Sequence, residues 1–166
     1  MKAMINGGRV LMGNMDAESD CMIQERPSIL VVDDEIYMVA ELQEALVASG
    51  YSVLTASSAS IALELINRHS DIGVMISDIR MPEINGTELT VRAKAARTEA
   101  NALEVILITG HGTFDEASAQ MPNCTFQLIR KPFRMREIFA ATESAMSRSM
   151  ERREAAGALQ RYNGIG

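Results

Sequence analysis

Apolar residues in this chain form short continuous runs separated by helical stripes, and the alternation repeats five times. "SILVV" (28–32) lies between Pro27 and Asp33-Asp34 and has the pattern of a buried strand. "EIYMVAELQEALVASG" follows, placing Ile36, Val39, Leu42 and Leu46 on one helical stripe, with Gly50 as its stop. "YSVLTAS" predicts a strand, and Ser57 or Ser58 can cap a helix carrying Ile61, Ala62, Leu65 and Ile66. "IGVMIS" and "LEVILIT" predict two further strands, followed by helices around 87–97 and 113–120. "TFQLIR" predicts a fifth, and a longer helix starts near Phe133 with a stripe of Met135, Ile138, Phe139, Thr142, Ala145, Met146 and Met150. Gly157 and "YNGIG" mark its expected end.

No hairpin signal separates the strands. Five βα units in a row therefore predict an α/β fold, a five-stranded parallel sheet doubly wound with helices on both faces. Residues 1–26 show neither period and read as a flexible tail. The ordered domain is expected over 27–150, with the end of the last helix and a tail over 151–166. The short stretch after Met150 leaves no room for a DNA-binding or enzymatic output domain, which predicts a stand-alone unit.

Composition narrows the field. The 166 residues suffice for one domain with a substantial core, and a hydrophobic fraction of 47% is that of an ordinary globular protein. A net charge of -6 argues against a broad nucleic-acid surface, so no direct DNA binding is expected. Cys21 and Cys124 form no metal or redox motif, which favours a reduced setting. No apolar run approaches the roughly 18 residues of a bilayer span, and the N-terminal stretch has no signal-peptide core. The expected location is cytoplasmic, without membrane association.

Ligands of open parallel sheets sit at the carboxyl ends of the strands. The first strand ends on Asp33-Asp34, the third on Asp78, the fourth on Thr109-Gly110 and the fifth on Lys131-Pro132. Unit charges about 4 Å apart repel by roughly 4 kcal/mol at an effective dielectric near 20. A hard divalent cation such as Mg²⁺, bound by carboxylates, water and phosphate oxygens, would relieve that repulsion. An ionised carboxylate needs no general base to attack a phosphoryl group, which would make Asp78 an aspartyl phosphate. The metal, Lys131, the Thr109 hydroxyl and backbone N–H groups would then balance the charge on the transferring group.

Plainer readings stand beside this one. Asp78 can be a turn residue, Asp33-Asp34 can cap the next helix, Thr109 can be loop chemistry, and Lys131 can be solvated. His69 and His111 lack partner ligands at metal-binding spacing and read as surface residues.

"VVDDE", "SDIRMPEINGTEL", "ILITGHG" and "RKPF" together resemble the receiver domain of bacterial two-component response regulators, over about Ser28 to Ser147. The resemblance implies the flavodoxin-like strand order 2-1-3-4-5. It also implies Asp33 and Asp34 as the acidic pair holding Mg²⁺, Asp78 as phosphoacceptor and metal ligand, and the backbone carbonyl of Arg80 as a further ligand. Thr109 and Lys131 would bind the phosphoryl group, and the bond before Pro132 is expected to be cis. The implied function is a phosphorylation-dependent signalling switch rather than an enzyme. It would take its phosphoryl group from a sensor histidine kinase or a histidine phosphotransfer protein and signal through a downstream protein.

One position departs from the family. Three residues before the lysine, where an aromatic residue or His is expected, stands Leu128, with Phe126 two residues earlier. Either Phe126 substitutes in the switch, or the chain is a receiver-like interaction module with altered or lost phospho-switching. An unrelated carboxylate phosphohydrolase is a more distant reading, because the acids run Asp-Asp-Glu rather than Asp-x-Asp. The charged continuation of the last helix, Arg148 to Glu154, predicts a solvated end or a homodimer contact.

Overall fold

A computed structural model describes residues 26–98 and 101–163. The tail expected over 1–26 lies, but for Arg26, outside the described residues. The order of elements is β1 (Ser28–Val32), α1 (Ile36–Ala48), β2 (Val53–Ala56), α2 (Ala59–Arg68), β3 (Ile72–Asp78), α3 (Gly86–Ala95), β4 (Glu104–Thr109), α4 (Phe114–Gln120), β5 (Gln127–Arg130) and α5 (Met135–Asn163). All five strands pair in parallel, in the order β2-β1-β3-β4-β5. This is the doubly wound sheet that the alternation predicts.

The pattern of the strands follows from where they lie. β1, β3 and β4 are central, and every residue in them is buried, hence their unbroken apolar runs. The edge strands β2 and β5 are only partly buried. Alternate side chains feed two cores. Leu30, Val32, Met75, Val105 and Leu107 pack with Ala62 and Ile66 of α2, Leu89 and Ala93 of α3, and Ala117 of α4. Ile29, Val31, Val74, Ile76 and Ile106 pack with Leu42 and Leu46 of α1 and with Ile138, Ala145 and Met146 of α5.

The helices start and stop on identifiable chemistry. Ser58 Oγ accepts from the Ile61 N–H at 3.3 Å, and Asn85 Oδ1 accepts from the Glu88 N–H at 2.8 Å. Thr113 and Glu116 form a reciprocal capping box at α4. Gly50 ends α1 at φ +86°, a conformation that suits glycine.

Three local expectations change. Ile36 is 73% exposed rather than part of the buried α1 stripe, because it is the first residue of the helix and lies beyond the packed face. The fifth strand is shorter than "TFQLIR", so Phe126 precedes it. Gly157 does not stop α5, which runs on to Asn163. A single interior glycine costs only about 1 kcal/mol relative to alanine, and Ala155, Ala156, Ala158 and Leu159 around it are strong helix formers.

The extension of α5 also packs back on the sheet's amino-terminal pole. Arg148 Nε lies 2.8 Å and Arg152 3.4 Å from the buried Glu104 carboxylate, and Arg153 donates to the carbonyls of Ser70 and Asp71, each at 3.0 Å.

Candidate functional site

Parallel strands deliver their last residues to one edge, and the loops that follow complete the site. Asp33 leaves β1, Asp78 ends β3, Thr109 ends β4, and Lys131 directly follows β5 and is joined by a cis bond to Pro132. Backbone contacts hold these ends together. The Ile79 N–H donates to Ile108 O at 2.9 Å, and the Lys131 N–H donates to Thr109 O at 2.7 Å.

Lys131 is the hub. Its Nζ sits 2.8 Å from Asp78 Oδ1 and 3.6 Å from Asp33 Oδ2. Asp78 Oδ2 accepts the Arg80 N–H at 2.6 Å, so both oxygens of this carboxylate are oriented. Asp33 Oδ1 accepts the Glu35 N–H at 2.9 Å, a turn ahead of α1; the cap position itself is Glu35 and no side chain caps that helix, so neither acid takes the capping role of the plainer reading. Its other oxygen is buried and takes no hydrogen bond among the described residues.

The electrostatics follow from that burial. Desolvation, the largest influence, raises the Asp33 carboxyl above its ordinary value. The Glu35 amide and Lys131 pull it down, while Asp78 and Asp34 push it further up. Burial alone would lower the Lys131 ammonium, but its hydrogen bond to Asp78 and the charges of Asp78, Asp33 and Glu35 outweigh it, and the net shift is upward.

The structure separates the acidic pair. Asp33 and Asp78 are 3% and 6% exposed, whereas Asp34 is turned to solvent. Among the described residues no three carboxylates, imidazoles or thiolates stand together at metal-ligating spacing. Two buried carboxylates, one of them (Asp33) with an unsatisfied oxygen, nevertheless fit Mg²⁺, which commonly takes one or two carboxylates and fills its octahedron with water and phosphate.

Thr109 is buried, and its hydroxyl is engaged with its own loop. It donates to the carbonyl of His111 and accepts the His111 N–H at 3.2 Å. It makes no hydrogen bond to Asp78 or Lys131 among the described residues. On the same face of the sheet lie Leu128, paired with Leu107 in register, and the buried Phe126. Phe126 stacks on Phe114 with ring centroids 4.8 Å apart and an interplanar angle of 21°. Phe114, half exposed at the first turn of α4, did not stand out in the sequence, although it directly follows the Thr113 cap. A cleft of about 530 Å³ opens beside the site between the β3–α3 and β4–α4 loops, lined by Arg80, Thr87, His111, Thr113 and Glu116 among others.

The sheet order and the pocket of two buried acids around one lysine at its carboxyl edge define a flavodoxin-like α/β protein with an acidic strand-end site. A family profile described as the response regulator receiver domain matches residues 29–143. The chain belongs to that family.

Over 121 residues it is 31% identical to the transcriptional regulatory protein GlrR of Escherichia coli K12, a match covering 73% of this chain and 26% of that protein. It is 32% identical over 132 residues to the response regulator protein TodT of Pseudomonas putida, covering 79% of this chain and 56% of TodT. The chain thus spans between a quarter and somewhat over half the length of these relatives. A crystal structure of a receiver domain protein from Clostridium thermocellum superposes with a TM-score of 0.66 at 32% identity, covering 74% of this chain and 95% of that one. The solution structure of the beryllofluoride-activated NtrC4 receiver domain dimer gives a TM-score of 0.62 at 28% identity, covering 74% and 98%. Among the described residues no helix is long and apolar enough to cross a membrane.

Proposed function

We propose that this receiver accepts a phosphoryl group on Asp78 from a phosphohistidine of a sensor kinase or histidine phosphotransfer protein, and signals through protein contact in the cytoplasm. The observation that carries this reading is the grip on Asp78, with Lys131 on one carboxylate oxygen and the Arg80 N–H on the other. A free Asp78 oxygen lone pair attacks phosphorus while the P–N bond breaks. The departing electron pair stays on the imidazole nitrogen, which regains a proton from solvent. Lys131 offsets charge on the phosphoryl oxygens, and the Thr109 hydroxyl, released from the His111 carbonyl, donates to one of them. Asp33, Asp78 and the Arg80 carbonyl would hold Mg²⁺ directly, with Asp34 acting through water from the rim. The bound ion would neutralise phosphoryl charge. Phosphorylation by a small phosphodonor, dependent on Mg²⁺ and read by intact mass, tests the assignment.

Because burial makes the Asp33 charge costly, the two neighbouring acids should respond differently. A carboxyl raised in the folded state binds its proton more tightly there than in the unfolded chain. Metal-free stability therefore falls as pH rises from the unfolded value of 3.8 through the raised folded value. Asp33→Asn should abolish that fall, raise the metal-free Tm by a few degrees at neutral pH and weaken Mg²⁺ binding. Asp34→Ala should leave the metal-free Tm unchanged and weaken Mg²⁺ more modestly. Thermal melts with and without Mg²⁺ read all four values, and a lower metal-free Tm for Asp33→Asn would count against the desolvation argument.

The phosphoryl signal would leave through α4. When Thr109 turns toward the phosphoryl group it would vacate space on the Leu128 face, and the Phe114–Phe126 stack, whose Phe126 packs in the same core as Leu128, is placed to follow. Binding of beryllofluoride should shift amides across 113–126 as well as those at the metal site. Phe114→Ala should cost about 0.5–1.5 kcal/mol for the lost stack. It should also reduce the α4 shifts while leaving phosphorylation intact. Shifts confined to the metal site would favour an interaction module without a working switch.

A further inference from the structure

A second charged site lies at the other end of the sheet. β4 begins on Glu104, whose side chain is only 3% exposed and is shared by Arg148 and Arg152 of α5. Beside it is an open cavity of about 210 Å³ lined by Lys94, Arg97 and Arg152, with Thr98, Asn123 and Thr125. One carboxylate already serves two guanidinium groups there. Lys94 and Arg97 have no carboxylate within ion-pair distance among the described residues, and Arg97 reaches only the carbonyl of His69, at 2.8 Å. The Arg97 Nε is buried without a hydrogen-bond partner among the described residues.

Among the described residues positive charge thus exceeds negative at this cavity, in a chain whose net charge is -6. The excess is also partly desolvated. Burial, ahead of the opposing pull of Glu104, holds the Lys94 ammonium below its ordinary value, and burial followed by the Arg153 charge does the same to Arg97. A conventional use accounts for part of the cluster, since cations in the last turn of α3 complement its carbonyl end. Arg152, which comes from α5, is drawn there by Glu104, and neither use satisfies the Arg97 Nε among the described residues. Glu104 and Asp71 offset these charges only in part, and a bound anion would lower the remaining cost of withdrawing them from water. Guanidinium forks, an ammonium and neutral hydroxyl and amide donors are the combination that suits phosphate oxygens.

We propose that the cavity bounded by Lys94, Arg97 and Arg152 binds a phosphate dianion, either free or carried as a monoester on a small molecule. It is separate from the phosphoacceptor site. Thr109 and Glu104 are opposite ends of β4, so the two pockets stand about 15–20 Å apart along the strand.

The test is an amide-resolved NMR titration of the full chain without Mg²⁺, at constant ionic strength, with sodium chloride replaced stepwise by inorganic phosphate or by glycerol phosphate. Saturable shifts are expected at residues 94–98, 123–125 and 152, with those around Asp78 and Lys131 unmoved. Tighter binding of glycerol phosphate would identify an esterified ligand, and equal or weaker binding would identify the free ion. Arg152→Gln, which leaves the Arg148–Glu104 pair in place, should weaken binding about tenfold. Lys94→Gln should do the same and serves as the second variant. Shifts that fail to saturate with both probes, or that are as large in both variants as in the wild type, overturn the site.

Discussion

Incubated with acetyl phosphate and Mg²⁺, the wild-type chain should gain one phosphoryl group, and Asp78→Asn should gain none. This is the largest effect expected of any single substitution here, because it removes the nucleophile rather than weakening a contact. Burial does not explain it, since Asp33 is equally buried. Asp33 has one oxygen committed to the Glu35 amide and the other 3.6 Å from Lys131, whereas Asp78 is aligned by the ammonium at 2.8 Å and the Arg80 amide at 2.6 Å. An asparagine amide at position 78 keeps the shape of the side chain and can still accept the Arg80 N–H, so the fold should persist. Its nitrogen is not a nucleophile toward phosphorus. Intact mass with and without phosphodonor decides the matter, and undiminished labelling of Asp78→Asn would move the chemistry to another residue.

Most of the frame that positions Asp78 was legible in the chain. β1, β3 and β4 are buried on both faces, so their sequences cannot alternate, and continuous runs such as "ILVV" and "VILIT" betray them. The parallel arrangement then brings Asp33, Asp78, Thr109 and Lys131 to one edge. Contacts that depend on side-chain direction were less accessible. "DD" gives no sign that the first acid is buried against Lys131 and the second faces solvent. Nothing in "LEVILIT" marks Glu104 as buried, yet it is, paired with Arg148 and Arg152 from a helix more than forty positions away. The Phe114–Phe126 stack is invisible for the same reason, since neither residue lies in a strand and their approach depends on how α4 settles against β5. Local pattern reports burial well and long-range pairing poorly, and the charged cluster at the amino-terminal pole is all long-range pairing.

Gly86→Ala should destabilise the protein by roughly 2–3 kcal/mol, near the top of the range for forcing one extra carbon into a packed site. In a domain of this size that lowers Tm by on the order of 10 °C. Gly86 opens α3 and donates its N–H to Ile79 O at 2.9 Å, folding the loop after β3 back onto the strand. A Cβ at this position would press on the Asp78 carbonyl oxygen and lie 3.0 Å from both Asp78 C and Ile79 Cα. These are backbone atoms of the last residue of β3 and of the residue after it, which cannot rotate aside as a flexible side chain would. The helix propensity that alanine gains over glycine, about 1 kcal/mol in a helix interior, is smaller than that clash. Relief would come by displacing Asp78 or the Arg80 amide that orients it, so phosphorylation should slow together with the loss of stability. Gly110→Ala is the control, because a Cβ there meets nothing within 4 Å although the residue directly follows Thr109. It should leave both Tm and the phosphorylation rate close to wild type. A Gly86→Ala protein that melts with the Gly110→Ala protein would mean that the loop after Asp78 yields freely, and the close approach of Gly86 to the strand would then have no part in fixing the phosphoacceptor.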